Sequence, residues 1–144
     1  MKILILNGPN LARLDIRDSA VYGNLNFSEL TSLIARRATD LGFDAEIRQS
    51  NDEAELISWL HEAADHKVPV IFNPAAFTHY SYAIRDAVEM LTAPLIEVHL
   101  SNPMAREEFR HTSVISGVAV GTIAGFGANS YLLALSAMRD LLQK

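Results

Sequence analysis

Short apolar runs alternate along the chain with longer segments whose apolar residues recur at the spacing of a helix. Apolar runs of roughly 4–8 residues are typical of strands, and longer amphipathic segments are typical of helices. We predict five strands, at residues 3–6, 45–47, 68–72, 95–99 and 118–124. The last three are nearly continuously apolar, which predicts that both of their faces are covered.

Four helices are predicted between and after these strands. The first begins at a capping box, in which Asn26 precedes Glu29 by three residues, and it ends at Gly42. The others cover approximately residues 52–65, 80–91 and 128–142. Repeated strand–helix units imply right-handed crossovers and a parallel sheet with helices on both faces. We therefore expect residues 1–144 to form a single domain with an α/β fold, a flavodoxin-like doubly wound five-stranded parallel sheet.

The composition excludes several classes of protein. The chain has no cysteine, which excludes disulfides, thiolate catalysis and cysteine-based zinc sites. A net charge of −5, without a run of lysine or arginine, argues against a nucleic-acid partner. No apolar stretch approaches the ~20 residues that span a bilayer, and the apolar run at the amino terminus is too short for a signal sequence. We expect a cytoplasmic protein without a membrane partner.

A polar loop after the first predicted strand carries a possible base and its activator. Ligands of parallel α/β sheets bind outside the carboxyl ends of the strands, so this loop lies where chemistry is expected. Arg17 precedes Tyr22 by five residues, and a nearby cation favours the phenolate form of a tyrosine. The alternative is that Tyr22 anchors the loop and Arg17 is a solvated surface charge.

Further polar side chains follow the third and fourth predicted strands. Asn73 and His79 follow the third, whereas Glu97 and His99 alternate onto one face of the fourth. A carboxylate there can fix the tautomer of the imidazole, although a buried structural histidine would show the same spacing. The other candidates at this edge are Asn10, Leu100, Ser101, Asn102, Arg106 and Arg110. The alternatives are a turn at Ser101 and solvated arginines that pair with neighbouring glutamates.

Ordered motifs along nearly the whole chain match one known family. They lie at residues 6–11, 17, 22–23, 49–51, 73–74, 78–79, 83–87, 97–102, 105–111 and 125–127. On these residues the chain resembles the type II 3-dehydroquinate dehydratases. The resemblance implies a lyase that eliminates water from 3-dehydroquinate to give 3-dehydroshikimate, in aromatic amino acid biosynthesis (the shikimate pathway) or in quinate catabolism.

The resemblance also implies a role for each residue of the site. Tyr22 would remove a C2 proton as its phenolate with support from Arg17, and a water held by Asn10 would stabilise the resulting enolate. His99, positioned by Glu97, would protonate the departing C1 hydroxyl. The implied substrate-binding residues are Asn73, His79, Leu100, Ser101 and Arg110, with the carboxylate at Leu100 and Ser101.

An assembly is implied by the same resemblance. In the family, the residue that matches Asp86 reaches the site of a neighbouring subunit, and the chains form a dodecamer built from trimers. No cofactor and no metal are expected. Lys2, Lys67 and Lys144, the only lysines, are not placed to form a Schiff base, and His79 and His99 lack the spacing of metal ligands.

The lid loop, residues 12–23, departs from the usual pattern of the family. Asp15 stands in place of a glycine and Ser19 in place of a proline, so the preferred shapes of the loop change. Ala12 and Arg13 are atypical as well. Asp15 and Asp18 also flank Arg17 and could compete with the phenolate for its charge.

Two other functions remain open at this stage. The altered lid loop is compatible with a catalytically weak or inactive relative that binds a cyclic polyol carboxylate. A signalling receiver of the same fold is disfavoured, because Asn7 and Asn73 stand where such a domain needs acidic residues.

Overall fold

Five parallel strands form one sheet in the computed structural model, which describes residues 1–144. The strands are β1 (Lys2–Asn7), β2 (Asp44–Gln49), β3 (Val70–Asn73), β4 (Leu95–His99) and β5 (Gly121–Ala124). Their order across the sheet is β2-β1-β3-β4-β5, and every neighbouring pair is parallel. The predicted flavodoxin-like doubly wound sheet is confirmed.

Five helices accompany the sheet, and all but the last begin at a side-chain cap. They are α1 (Ser19–Tyr22), α2 (Phe27–Asp40), α3 (Glu53–His66), α4 (Tyr82–Glu89) and α5 (Asn129–Leu142). The predicted capping box is present, since Glu29 N donates to Asn26 Oδ1 at 2.8 Å and Asn26 N donates to Glu29 Oε1 at 3.2 Å. None of these helices has the length and apolar character needed to cross a membrane.

The sheet separates two apolar clusters, because side chains of a strand alternate between its two faces. Ile3 and Ile5 of β1 pack on the side of α2 and α5, and Leu4 and Leu6 pack on the side of α3 and α4. The fully buried helix residues that close these clusters include Leu30, Ile34, Leu56, Leu60, Ile84, Tyr131 and Leu135. Helices on both faces thus leave the ends of the strands as the accessible edge.

The last predicted strand differs from the structure. Residues 118–124 were expected to form a strand covered on both faces, but β5 begins only at Gly121 and its side chains are exposed or half-buried. The physical reason is that β5 is an edge strand, paired with β4 alone. The third strand also starts later than predicted, at Val70, because Pro69 has no N–H to donate to the sheet.

The segments that follow β1 and β3 are in direct backbone contact at Gly8. Gly8 N donates to Asn73 O at 2.8 Å. A Cβ atom on residue 8 would lie 2.7 Å from the carbonyl oxygen of Pro74 and 2.9 Å from its carbonyl carbon, so only glycine fits. This contact holds the loop that carries Asn10 beside the loop that carries His79.

Candidate active site

A cavity lies at the carboxyl ends of β1, β3 and β4, with the lid loop on one side. Three loops contribute polar side chains to it, as expected for the edge of a parallel sheet. These residues are Asn10, Arg17, Tyr22, Asn73, His79, His99, Ser101, Arg106 and Arg110. The structure therefore brings these residues together in one cavity, and no carboxylate lines that cavity to offset its arginines.

The Tyr22 hydroxyl lies between two guanidinium groups. Arg17 Nη2 donates to it, and the Arg17 guanidinium also lies 3.7 Å from the centre of the tyrosine ring. Arg106 Nη2 donates to the same oxygen at 2.6 Å, while Arg106 Nη1 donates to Ser101 Oγ at 3.1 Å. Two cationic donors on one oxygen favour negative charge there, which is what a phenolate base requires.

The surroundings of Arg17 also change the pKa of its guanidinium. Its pKa is lowered from the ordinary value, chiefly by burial, and the positive charges of Arg106 and Arg110 act in the same direction. The charge of Tyr22 acts in the opposite direction. Negative charge in this cavity, on a tyrosine or a ligand, therefore relieves repulsion among the arginines.

The two aspartates of the lid loop do not compete for Arg17, so that expectation was wrong. Asp15 pairs with the exposed Arg13 at 3.1 Å, and Asp18 accepts from Ala20 N at 3.0 Å, where it caps α1. Each carboxylate has a partner within two residues of itself along the chain. Arg17 therefore donates to the Tyr22 hydroxyl without competition from either carboxylate.

Glu97 and His99 form a buried pair on β4. Glu97 is fully buried, and its Oε2 lies 2.5 Å from His99 Nε2. Burial acts to raise the pKa of Glu97, but the hydrogen bond and charge of His99, with hydrogen bonds from Ser116 and Thr78, hold that pKa below its ordinary value. The carboxylate is therefore ionised, and it leaves Nδ1 as the histidine nitrogen that faces the cavity.

Asn73 and His79 are held by contacts outside the cavity. Asn73 Nδ2 donates to the buried Tyr131 hydroxyl at 2.9 Å, and Asn73 Oδ1 accepts from Ala75 N at 3.0 Å. His79 Nδ1 donates to Thr112 O at 2.8 Å. Burial lowers the pKa of His79, and the charges of His99 and Arg110 add to this effect. A neutral imidazole therefore presents its Nε2 to a ligand.

Most of the predicted site residues are brought together, but Asp86 is not. Asp86 is exposed on α4 and does not line the cavity of its own chain. Arg106 is the converse case, since it was assigned no role from the sequence and yet contacts both Tyr22 and Ser101. The alternative of an arginine paired with a neighbouring glutamate applies to Arg110, whose Nε lies 2.7 Å from Glu107 Oε2.

The fold and this cavity define the class of protein, a parallel α/β enzyme equipped for acid–base chemistry on a small anionic substrate. The family follows from the sequence. The family described as "Dehydroquinase class II" matches residues 1–139, and the chain belongs to it.

Similar proteins agree with this assignment over nearly the full chain. A curated 3-dehydroquinate dehydratase of Mycobacteroides abscessus is 58% identical over 135 residues, which cover 94% of each protein. The crystal structure of the type II dehydroquinase from Propionibacterium acnes has a TM-score of 0.94 and 49% identity, and covers 96% of both chains. The type II dehydroquinase from Butyrivibrio crossotus has a TM-score of 0.93 and 43% identity, over 96% of this chain and 97% of that one.

Proposed function

We propose that this protein dehydrates 3-dehydroquinate to 3-dehydroshikimate by trans-elimination through an enolate. The observation that carries the proposal is the arrangement of Tyr22, which receives hydrogen bonds from Arg17 and Arg106, in the same cavity as a histidine held by Glu97. Removal of a proton next to a ketone needs a base, and departure of a hydroxyl needs an acid. The cavity holds one candidate for each.

Each side chain has a defined part in the proposed reaction. The Tyr22 phenolate takes the C2 proton, and the electrons of the broken bond form an enolate, which a water held by Asn10 stabilises. Collapse of the enolate breaks the C1–O bond, and His99 gives a proton to the leaving oxygen, so that water departs. Arg106 contributes the second hydrogen bond that favours the phenolate.

The proposed contacts to the substrate follow the lining of the cavity. The substrate carboxylate binds at Leu100 and Ser101, where the Ser101 hydroxyl already accepts a hydrogen bond from Arg106. Asn73, His79 and Arg110 bind the ring hydroxyls. Asn73 can do so because its two present bonds leave one amide N–H unused.

Tyr22→Phe tests the assignment of the base. We expect kcat to fall by about 10²–10⁴-fold, the usual contribution of a general base, because the variant keeps the ring and loses only the hydroxyl. The measurement is the ultraviolet absorbance of the conjugated product formed from 3-dehydroquinate, with and without a chelator, which is expected to have no effect. The exposed Tyr80→Phe is the matched control.

Two results would contradict the proposal. One is a folded wild-type protein that forms no product at high enzyme concentration. The other is a slow turnover that Tyr22→Phe leaves unchanged, and this would favour the alternative of a weak or inactive relative that binds a cyclic polyol carboxylate. The atypical residues of the lid loop, including the Arg13–Asp15 pair, are the feature that favours this alternative.

We also propose a dodecamer built from trimers, in which Asp86 acts at the site of a neighbouring subunit. The support is its position, since Asp86 is exposed and lies outside the cavity of its own chain. Large exposed side chains, Tyr80, Tyr82 and Met90, accompany it on and beside α4. Burial of such side chains between subunits would stabilise an assembly.

Light scattering after size exclusion tests the assembly, and Asp86→Asn tests the role in a neighbouring site. We expect the wild type and Asp86→Asn both to have the mass of a dodecamer. Only Asp86→Asn should have a reduced kcat/KM. Asp40→Asn, at an exposed position on α2, is the control. A fully active monomer would contradict the proposed assembly. The cytoplasmic location also stays a prediction, which cell fractionation would check.

A further inference from the structure

Two hydroxyl groups donate to the buried carboxylate behind His99, and a third hydroxyl contacts one of these two. Thr78 Oγ1 donates to Glu97 Oε2 at 2.5 Å, and Ser116 Oγ donates to Glu97 Oε1 at 2.5 Å. Ser113 Oγ lies 2.6 Å from Thr78 Oγ1. These residues come from the segments after β3 and before β5, and none of the three lines the cavity itself. Nothing in the proposed reaction yet uses them.

The donor of each bond in this group follows from counting lone pairs. Ser113 Oγ accepts from the backbone N–H groups of Ile115 at 3.1 Å and Ser116 at 3.0 Å. A hydroxyl oxygen has two lone pairs, so the Ser113 proton is the only group left to bond Thr78. Thr78 therefore accepts from Ser113 and gives its own proton to Glu97.

The two hydroxyl donors favour the ionised form of the acid, in line with the lowered pKa of Glu97. With Thr78 and Ser116 both donating, the Glu97 carboxylate is bonded as an ionised acceptor on each of its oxygens. Its remaining partner, His99 Nε2 at 2.5 Å, must then be a donor. The imidazole keeps a proton on Nε2 in both of its charge states, and only the cavity-facing Nδ1 gains or loses one.

We propose that Thr78, Ser113 and Ser116 are positioning residues that act on His99 through Glu97. They orient the carboxylate so that the histidine has one tautomer and delivers its proton from Nδ1 alone. The catalytic consequence rests on the proposed dehydration, whereas the tautomer itself does not. A wrongly placed proton would turn Nδ1 into a donor in the neutral imidazole and leave two acceptors, Nε2 and the Glu97 carboxylate, facing each other away from the cavity.

The test removes the hydroxyls and observes the imidazole directly. Thr78→Val keeps the shape of the side chain and removes the hydrogen bond from Thr78 to Glu97. Ser116→Ala removes the hydrogen bond from Ser116 to Glu97. Thr78→Ser keeps a hydroxyl at position 78 and should therefore retain the hydrogen bond that Thr78→Val removes. The tautomer of His99 is measured from the ¹⁵N chemical shifts of its ring in the absence of substrate. The control is Ser81→Ala, which removes a hydroxyl that donates to Glu53 at 2.5 Å, away from Glu97.

We expect the wild type, Thr78→Ser and Ser81→Ala to show the Nε2-protonated tautomer alone, and Thr78→Val and Ser116→Ala to show a mixture. In turnover of 3-dehydroquinate, the latter two should lose about 10- to 100-fold in kcat, part of the ~10⁴-fold cost of a wrong tautomer in a hydrolase triad. KM should change by less than about 2-fold, since no contact with substrate is removed.

The outcomes separate this inference from the proposed function. Unchanged ¹⁵N shifts in both Thr78→Val and Ser116→Ala would overturn the positioning role, whatever their activity. Altered shifts in a protein whose wild type forms no product would support the positioning role and contradict the proposed function. Should Thr78→Val not fold, Ser116→Ala decides the question, because Ser116 is only half-buried.

Discussion

At the residue scale, Arg106 joins two parts of the site that the chain places far apart. It lies 84 residues after Tyr22 and five residues after Ser101, and it donates a hydrogen bond to each hydroxyl. One guanidinium group therefore contacts both the proposed base and the proposed carboxylate-binding loop. Its removal should affect the ionisation of the base and the order of that loop together.

Arg106→Gln should lower kcat by about 100-fold, comparable to the loss of one donor from an oxyanion hole. The reason is that the Tyr22 oxygen then keeps only Arg17 as a charged donor. Steady-state kinetics on 3-dehydroquinate measures the effect, with the exposed Arg36→Gln as the control. Equal kcat values for the two variants would show that Arg106 has no part in activating the base.

The side-chain contacts that could be predicted from the sequence are those between residues that lie close together along the chain. Glu97 and His99 are two positions apart on one strand, so their contact was visible as an alternation. The contact of Arg17 with Tyr22 is also local. The contact between Arg106 and Tyr22 depends on how β4 and the lid loop meet in the fold, and no pattern within either segment contains that information.

At the scale of elements, the phenol of Tyr131 on α5 forms hydrogen bonds to residues of both β1 and β3. The Tyr131 hydroxyl donates to Asn7 Oδ1 at 2.6 Å and accepts from Asn73 Nδ2 at 2.9 Å. Burial raises the pKa of Tyr131 well above its ordinary value, so the phenol stays neutral and can donate. The last residues of β1 and β3 are thereby joined beneath the cavity.

Tyr131→Phe should lower the free energy of unfolding by about 1–3 kcal/mol, because it leaves buried amide groups without a partner. Since Asn73 loses its anchor, we also expect KM to rise more than kcat falls. Urea unfolding and kinetics check the two effects. Ser28→Ala, which removes a hydroxyl at an exposed position of α2, should remain within about 0.5 kcal/mol of the wild type. A Tyr131→Phe protein as stable as this control would refute the argument.

The elements that were predicted well are those with a complete local signal. The start of α2 was visible as a capping box, and α5 as an apolar stripe that includes Tyr131. The short helix α1, four residues long, has no apolar stripe and was not predicted. The exposure of β5 was missed because apolar content alone does not distinguish an edge strand from a central one.

At the scale of the whole molecule, the response to acid depends on carboxylates whose pKa is lower in the folded state. Glu97 is the buried member of this group, and Glu46, Glu62 and Glu107 are members near the surface. A lowered pKa means that the unfolded chain binds more protons as the pH falls below about 4.5. The stability from these groups is therefore complete above that pH and is lost as the pH falls through their folded-state pKa values.

Glu97→Gln should flatten this acid-side loss of stability, since the variant has no carboxylate to protonate at that position. Urea midpoints measured from pH 7 to pH 3 give the slope for each protein. Glu108→Gln, which removes an exposed carboxylate outside this group, should behave almost as the wild type does. Parallel curves for wild type and Glu97→Gln would contradict the assignment of Glu97 as an ionised group.

The contact between Gly8 and Pro74 limits how the cavity can change in size. Backbone lies against backbone there, with no room for one added carbon atom. The distance between the loops of Asn10 and His79 is therefore not adjustable by exchange of side chains along that side. A bulkier substrate would have to gain its space from the opposite wall, where the lid loop is mostly exposed and its conformation is set by short-range contacts.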